Sequence, residues 1–469
     1  MTRAATDIGR GLAPARDARP IRAGERIHVL GAAGAGASAG VLLAHRAGAS
    51  VSGCDAGGPS PYTAALDQAG IHLDWRHDPA HVDRPLAERP QRLGVTKALT
   101  AVNPDHPELL AAQRLGIPAE PWQQLVADAA ATTGQRLVAI AGTHGKSTSA
   151  GWLVDLLVRA GRDPSAFVGA LLDATLTGAT PSTARWGSGD VFVVEADEYA
   201  GNFDPYRPSV IALLNAEWDH PDVFADADAV YDAFARWIRQ AGGATLVANM
   251  ADAGVRAVLD RLSGWPGQVV QLDDAPLPYA VGLPGPANAA NARVVAGVAR
   301  VLAVPEEVIK SSLAEFRGVG RRLELKGEVG GVTVLDDYGH HPTAIARTIE
   351  AVRERYPSRR LWAVYEPLTY HRTAAMLEQF ADVLARADEV AIADIWAGRD
   401  PDTTVTSAAA LADAVTRRKG PRANAPGSVE QTADYLATKV KPGDVVLVMG
   451  GGRSYVAASR LVELLKSSS

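Results

Sequence analysis

The heptapeptide Gly142-Thr143-His144-Gly145-Lys146-Ser147-Thr148 joins an apolar run, Leu137 to Ala141, to a stretch of helical character from Ser147 to about Ala160. A glycine turn at a strand-to-helix junction lets backbone N–H groups face a polyphosphate, and the helix N-terminus adds positive potential. Lys146 would reach the terminal phosphates and the Ser147 hydroxyl would meet a magnesium ion. The spacing departs from the common phosphate loop, whose first glycine would fall at Ile140. His144 carries no catalytic expectation by itself.

Acidic groups follow in the same region. Glu195-Ala196-Asp197-Glu198 ends the apolar run Val191 to Val194, and Glu217-Trp218-Asp219-His220 follows the run Val210 to Asn215. Open α/β sheets bind ligands at such strand ends. Magnesium takes oxygen ligands and keeps water, so one or two carboxylates beside ATP phosphates suffice. His220 reads either as a metal ligand or as a capping residue. No Cys/His cluster has the spacing of a zinc site, so the sequence favours magnesium over zinc.

These groups need a scaffold of parallel strands alternating with helices, and the chain supplies it. At 469 residues it fits about three domains of ~100–200 residues each. Hydrophobic residues make up 47% and charged residues 21%, a globular composition. Cys54 is the single cysteine, and neither a secretory signal nor a bilayer-length apolar run is apparent. A cytoplasmic protein without membrane insertion is expected. The net charge of -6 is spread among interspersed signs, which argues against nucleic acid as partner.

Residues 1–24 lack apolar periodicity and are expected to be a flexible extension. Ile27 to Leu30 then runs into Gly31, Gly34 and Gly36 and a helix through Leu43, with further strands at Ser50 to Cys54, ending at Asp55, and at Thr96 to Val102. The glycines and Asp55 alone would also suit a dinucleotide, but not at the usual spacing. Strands are also predicted at Thr245 to Ala248, Val332 to Leu335, Leu361 to Val364, Val390 to Ala393 and Val445 to Val448, and helices at 226–240 and 288–302.

Six motifs occur in the order found in Mur ligases: the loop 142–148, Glu195 to Glu198, Asp219-His220, Asn288 with Asn291, Gly320-Arg321-Arg322, and Asp336-Asp337-Tyr338-Gly339-His340-His341-Pro342. From Arg26 to about Leu465 the chain resembles that family, and within it the alanine-adding branch. The resemblance implies an α/β fold of three domains. These are a Rossmann-like domain for a UDP-sugar (25–130), a P-loop-type central ATPase domain (131–316) and a Rossmann-like C-terminal domain for an amino acid (317–469).

It further implies an ATP-dependent ligase that joins the carboxylate of UDP-N-acetylmuramate to L-alanine through an acyl phosphate. Gly142 to Thr148, Asn288, Asn291 and Asp337 would bind ATP; Ser147, Glu195 and His220 would hold Mg2+; Arg321 or Arg322 would approach the phosphates. Gly31, Gly34, Gly36, Ser38 and Asp55 would face the UDP-sugar, with Tyr338 and Arg372 at the other substrate, where Arg372 could pair with a carboxylate. His340 or His341 would accept the amine proton, or else orient the loop. A monomer or weak homodimer is expected.

No lysine lies between Lys146 and Lys310, so the carbamylated lysine of some relatives has no counterpart. Three stretches depart from the alanine-adding pattern: Glu366-Pro367-Leu368-Thr369-Tyr370-His371-Arg372-Thr373, Ala287 before Asn288, and Met449-Gly450-Gly451-Gly452-Arg453. They leave open a preformed peptide as the amine, and a non-catalytic relative with the same fold.

Overall fold

The computed structural model describes residues 3–178, 180–398, 400, 402–418, 420 and 422–467. Two compact units divide the chain, residues 1–282 with 289–319 and residues 283–288 with 320–469. No helix among the described residues is long and apolar enough to cross a membrane.

The first unit holds two sheets. One is built from β1 (Arg26–Leu30), β2 (Ser50–Cys54), β3 (Leu73–Asp74), β4 (Arg92–Val95) and β5 (Ala119–Pro121), in the order β3-β2-β1-β4-β5, all parallel. The other comprises β6 (Arg136–Ala141), β7 (Ser165–Leu172), β8 (Ser182–Arg185), β9 (Val191–Ala196), β10 (Val210–Leu213), β11 (Thr245–Asn249) and β12 (Gln268–Leu272). Their order is β12-β11-β10-β6-β9-β7-β8, parallel except for the β7–β8 edge. Central strands are apolar throughout because both faces are covered: every residue of β9 and β10 is buried.

The second unit has one sheet: β13 (Glu324–Val329), β14 (Val332–Asp337), β15 (Leu361–Glu366), β16 (Glu389–Ala393), β17 (Ala423–Gly427) and β18 (Val445–Gly450). Its order is β13-β14-β18-β15-β16-β17, with β13 antiparallel to β14. Val334, Val364, Ala391, Val446 and Val448 form its core under the helices Val429–Ala437 and Ser454–Ser467. The doubly wound α/β class is thus what the alternation of apolar runs and helices predicts.

Two expectations fail. Thr96 to Val102 is no strand: β4 ends at Val95 and Lys97–Val102 is a helix. Its buried residues are Lys97, Thr100 and Ala101, the i, i+3, i+4 face of a helix rather than alternate positions. Residues 3–24 are not a loose extension. Ala5–Ile8 is helical, Ile8 and Ile21 are buried, and Thr100 Oγ1 donates to the Ile8 carbonyl at 2.5 Å. Arg16 pairs with Glu120 at 2.7 Å and Asp128 at 2.8 Å, and Arg19 pairs with Glu25.

Those carboxylates surround a buried cation. Arg92, only 2% exposed, has Nε 3.1 Å from Glu25, and Nη1 3.1 Å from Glu120 and 2.5 Å from Asp128. Arginines 16 and 19 close this three-carboxylate cage from outside, so polar residues, invisible to apolar periodicity, hold the leading segment.

Candidate active site

Parallel pairing sets Ala141 of β6 beside Ala196 of β9 and Leu213 of β10, so three strand ends open onto the turn that follows β6. The turn leads into the helix Lys146–Arg159, whose N-cap, Gly145, has φ 82° and whose first N–H groups receive no side-chain cap. N–H groups at a helix start suit a polyphosphate. Gly142 has φ 141°, and a Cβ there would lie 3.0 Å from the Asn215 carbonyl oxygen. At Gly145 a Cβ would lie 2.5 Å from Asn291 Oδ1, which places Asn291 directly against the loop.

Asn215 holds the loop shape. Its Oδ1 accepts the His144 N–H at 2.8 Å and its Nδ2 donates to the His144 carbonyl at 3.0 Å. Thr143 Oγ1 donates to the Glu217 carbonyl and accepts the Glu217 N–H at 2.9 Å. Sequence reading gave Asn215 no role; its position at the end of the strand adjoining the loop was the only signal.

Lys146 Nζ lies 2.8 Å from Glu198 Oε2 and 3.5 Å from Asp197 Oδ1. Burial alone would lower the lysine, but Glu198 and Asp197 outweigh it and hold Lys146 charged. Asp197 would be raised by burial, yet Lys146 and His220 keep it below its ordinary range. Burial dominates at Glu198 and pushes its carboxyl up to about 7 despite the nearby ammonium.

A pH dependence follows. The native Glu198 keeps its proton up to about 7, whereas an unfolded glutamate releases it near 4.5. The folded chain binds more protons in that window, so this group's contribution to stability is complete below 4.5 and is lost as pH rises through 7. Glu198→Gln should flatten that part of the profile, read from urea midpoints at about pH 5 and about pH 8. An unchanged slope would refute the assignment.

Of the residues expected at the metal, the structure joins Ser147 to Glu195: Ser147 Oγ donates to Oε1 at 3.0 Å, while Oε2 accepts the Gly169 N–H at 2.6 Å. His220, at φ 55°, instead groups with Asp197 and Glu198, all three donor atoms within 4.8 Å of one another. Asp197 and Glu198 belong to the acidic run singled out in the sequence but were not assigned as ligands. The donors are mostly hard carboxylate and hydroxyl oxygens, a set that fits magnesium at phosphates. Non-glycine left-handed backbone at His220 and Ala200 flanks the cluster, the strain that functional sites tolerate.

In the first sheet, Gly31 has φ 74° and no room for a Cβ, which would lie 2.3 Å from Thr96 Cγ2. Gly36 packs directly on the Trp122 ring, and Gly34 is the uncapped N-cap of the helix Ala35–Arg46. Asp55 braces this loop by accepting the Ala33 N–H at 3.0 Å. Ser38 is buried, 3.3 Å from Thr183 Oγ1 of β8, so it lies between the two sheets rather than at an open surface.

In the second unit Arg321 is buried. It reaches Asp336 at 3.2 Å, the Gly450 carbonyl and Ser454 Oγ at 2.9 Å, and stacks between Tyr338 and Tyr455. Arg322 is half-buried with its guanidinium 5.1 Å from the Tyr338 ring centroid. Asp337 accepts N–H groups from Gly339 and Leu323 at 2.8 and 2.9 Å, and burial raises it. His340 Nδ1 lies 3.0 Å from the Tyr338 carbonyl, whereas His341 caps the helix Pro342–Arg355 by accepting the Thr343 N–H.

Arg372 is buried on the short helix Tyr370–Ala375. Glu366, a departure from the family pattern, ends β15 with its carboxylate raised by burial, although it accepts the N–H groups of Arg453 and Ser454. Asn288 Nδ2 donates to the Pro284 carbonyl at 2.8 Å.

Residues 26–133 match the Mur ligase family catalytic domain and residues 321–452 the Mur ligase glutamate ligase domain. The UDP-N-acetylmuramate--L-alanine ligase of Roseiflexus sp. (strain RS-1) is 33% identical over 94% of this chain and 99% of its own. That of Kineococcus radiotolerans is 36% identical, covering 94% and 96%. The crystal structure of UDP-N-acetylmuramate-alanine ligase from Thermotoga maritima superposes with a TM-score of 0.77 at 22% identity, covering 95% of this chain and 100% of that one. Relatives 33% and 36% identical across nearly the whole chain, with two family domains matched and the motifs in order, show that the chain belongs to the Mur ligase family of ATP-dependent amide ligases.

Proposed function

We propose that the protein joins the carboxylate of UDP-N-acetylmuramate to the amine of L-alanine, as the names of its relatives suggest for this branch. The carrying observation is Lys146 at an uncapped helix start, 2.8 Å from Glu198 and beside the Ser147–Glu195 pair. A carboxylate oxygen attacks the γ-phosphorus of ATP, the bond to the ADP oxygen breaks, and an acyl phosphate forms. The amine nitrogen then attacks the acyl carbon, loses a proton, and inorganic phosphate leaves with the C–O bond.

A carboxylate is a weak nucleophile, so rate comes from positioning and charge neutralisation. Lys146 places a fixed positive charge at the phosphates and the loop N–H groups orient them. Ser147 and Glu195, with the His220 cluster as a further set of donors, would hold magnesium, which would supply neutralisation of the phosphate charge. His340 is the candidate acceptor for the amine proton, since His341 is engaged as a cap.

The test is ADP release with ATP, magnesium and UDP-N-acetylmuramate, with and without L-alanine or a tripeptide, and products identified by mass. Alanine-dependent release of ADP with formation of the alanylated sugar is expected. Turnover only with the peptide would replace the amine substrate, consistent with Glu366 in the altered segment, and turnover with neither would overturn the reading.

A further inference from the structure

Four residues spaced 26 or 27 positions apart, His28, Cys54, His81 and Glu108, converge beneath the first sheet with donor atoms all within 4.8 Å of one another. Strand geometry explains the first two. Leu30 pairs with Cys54 and His28 with Ser52, so alternate residues of adjacent parallel strands project to one face. That face is covered by the helix Pro107–Arg114, which brings Glu108, and by the 3-10 turn Pro79–His81, which brings His81. All four are buried, with His28, Cys54 and Glu108 at 0% exposure.

The contacts within the group are those of unlike donors gathered around one point. Glu108 Oε1 lies 2.8 Å from His81 Nδ1, Oε2 lies 3.3 Å from Cys54 Sγ, and Cys54 Sγ is 3.2 Å from His77 Nδ1. One observation is independent of this network: His28 Nδ1 is engaged by Ser52 Oγ at 2.8 Å, yet its buried Nε2 has no hydrogen-bond partner among the described residues. A deeply buried ring nitrogen without a partner is costly unless something fills the place.

We infer that His28, Cys54, His81 and Glu108 form a structural site for a zinc-type divalent cation. Two imidazoles, a thiolate and a carboxylate make a closed four-ligand shell with bonds of about 2.0–2.3 Å, the pattern of structural rather than catalytic zinc. The outer contacts fit as well. Ser52 holds the remote nitrogen of His28, and Asp74 lies 3.3 Å from His81 Nε2, the supporting carboxylate that zinc-bound histidines commonly have. His28 stays neutral because burial lowers it to about 3, which suits a ligand. Cys54 is raised by burial and then by Glu108, so metal uptake must displace its proton.

An ion there would tie β1, β2, the 3-10 turn and the helix Pro107–Arg114 together. Gly31 and Ala32 donate to the Cys54 carbonyl at 2.9 and 3.1 Å, so the stapled strands directly carry the glycine loop. Hard oxygen-seeking magnesium would not choose this donor set, which separates the site from the phosphate loop.

Chelator-stripped full-length protein, titrated with Co2+ and Zn2+ in excess Mg2+, tests the inference. One equivalent of cobalt should produce a thiolate-to-metal charge-transfer band and the intense visible bands of a four-coordinate ion. Zinc should displace it, and Cys54→Ser should abolish the charge-transfer band. His81→Asn should weaken zinc affinity at least tenfold. In the unmodified protein, zinc should slow maleimide labelling of the sole thiol at least tenfold, reversibly with chelator. Absence of saturable uptake, a cobalt spectrum unchanged by Cys54→Ser, or thiol labelling indifferent to zinc would each overturn it.

Discussion

Lys146→Ala will reduce ADP release by about a hundredfold to a thousandfold or more, the scale on which removing a positioned electrostatic partner of a transition state acts. The ammonium sits at the start of the helix Lys146–Arg159, 2.8 Å from Glu198. Its loss also leaves the buried Glu198 facing the partly exposed Asp197, but Glu198, already raised to about 7, can bind a proton and limit the structural damage. Circular dichroism should therefore remain native while turnover disappears. Lys146→Met, of similar length without the charge, should behave the same way. Near-normal ADP release in either variant would remove Lys146 from the reaction.

Arg92→Ala should be the most destabilising single substitution in the first sheet, by about 3–5 kcal/mol, because it strips a buried cation from three carboxylates. Arg16 and Arg19 would still face Glu120, Asp128 and Glu25, from the exposed side of the cage. Urea unfolding monitored by tryptophan fluorescence measures the effect. If uncompensated charge is the cause, Glu25→Gln in the Arg92→Ala background should recover part of the loss. A change below about 1 kcal/mol, the value of an ordinary surface pair, would show that the cage is only a surface network.

The phosphate loop was readable because its parts are contiguous: a buried strand, two left-handed glycines and a lysine fall within one short stretch. Central strands such as β9 and β10 were readable because they are covered on both faces and so are continuously apolar. Edge strands were not. β17 reads Ala-Asn-Ala-Pro-Gly and β8 reads Ser-Thr-Ala-Arg, with too few apolar positions to show a period. Lys97–Val102 does not show a helical period because two of the three residues it buries, Lys97 and Thr100, are polar, one on the Ala200 carbonyl and the other on that of Ile8.

The candidate site divides the same way. Lys146, Ser147 and Glu195 announce themselves through motifs, whereas Asn215 acts through its amide on a backbone far away in sequence. His28, Cys54, His81 and Glu108 come from four separate elements, so no short spacing pattern could have united them.

Asn215 also bears on how the loop meets its ligand. Its paired hydrogen bonds to His144, with the reciprocal bonds between Thr143 and Glu217, fix the turn from the neighbouring strand. Hydrogen bonds that fix a turn lower the entropy lost when it is ordered around a ligand. On the proposed function, discrimination between polyphosphates at this loop would follow from the turn geometry that Asn215 and Thr143 set.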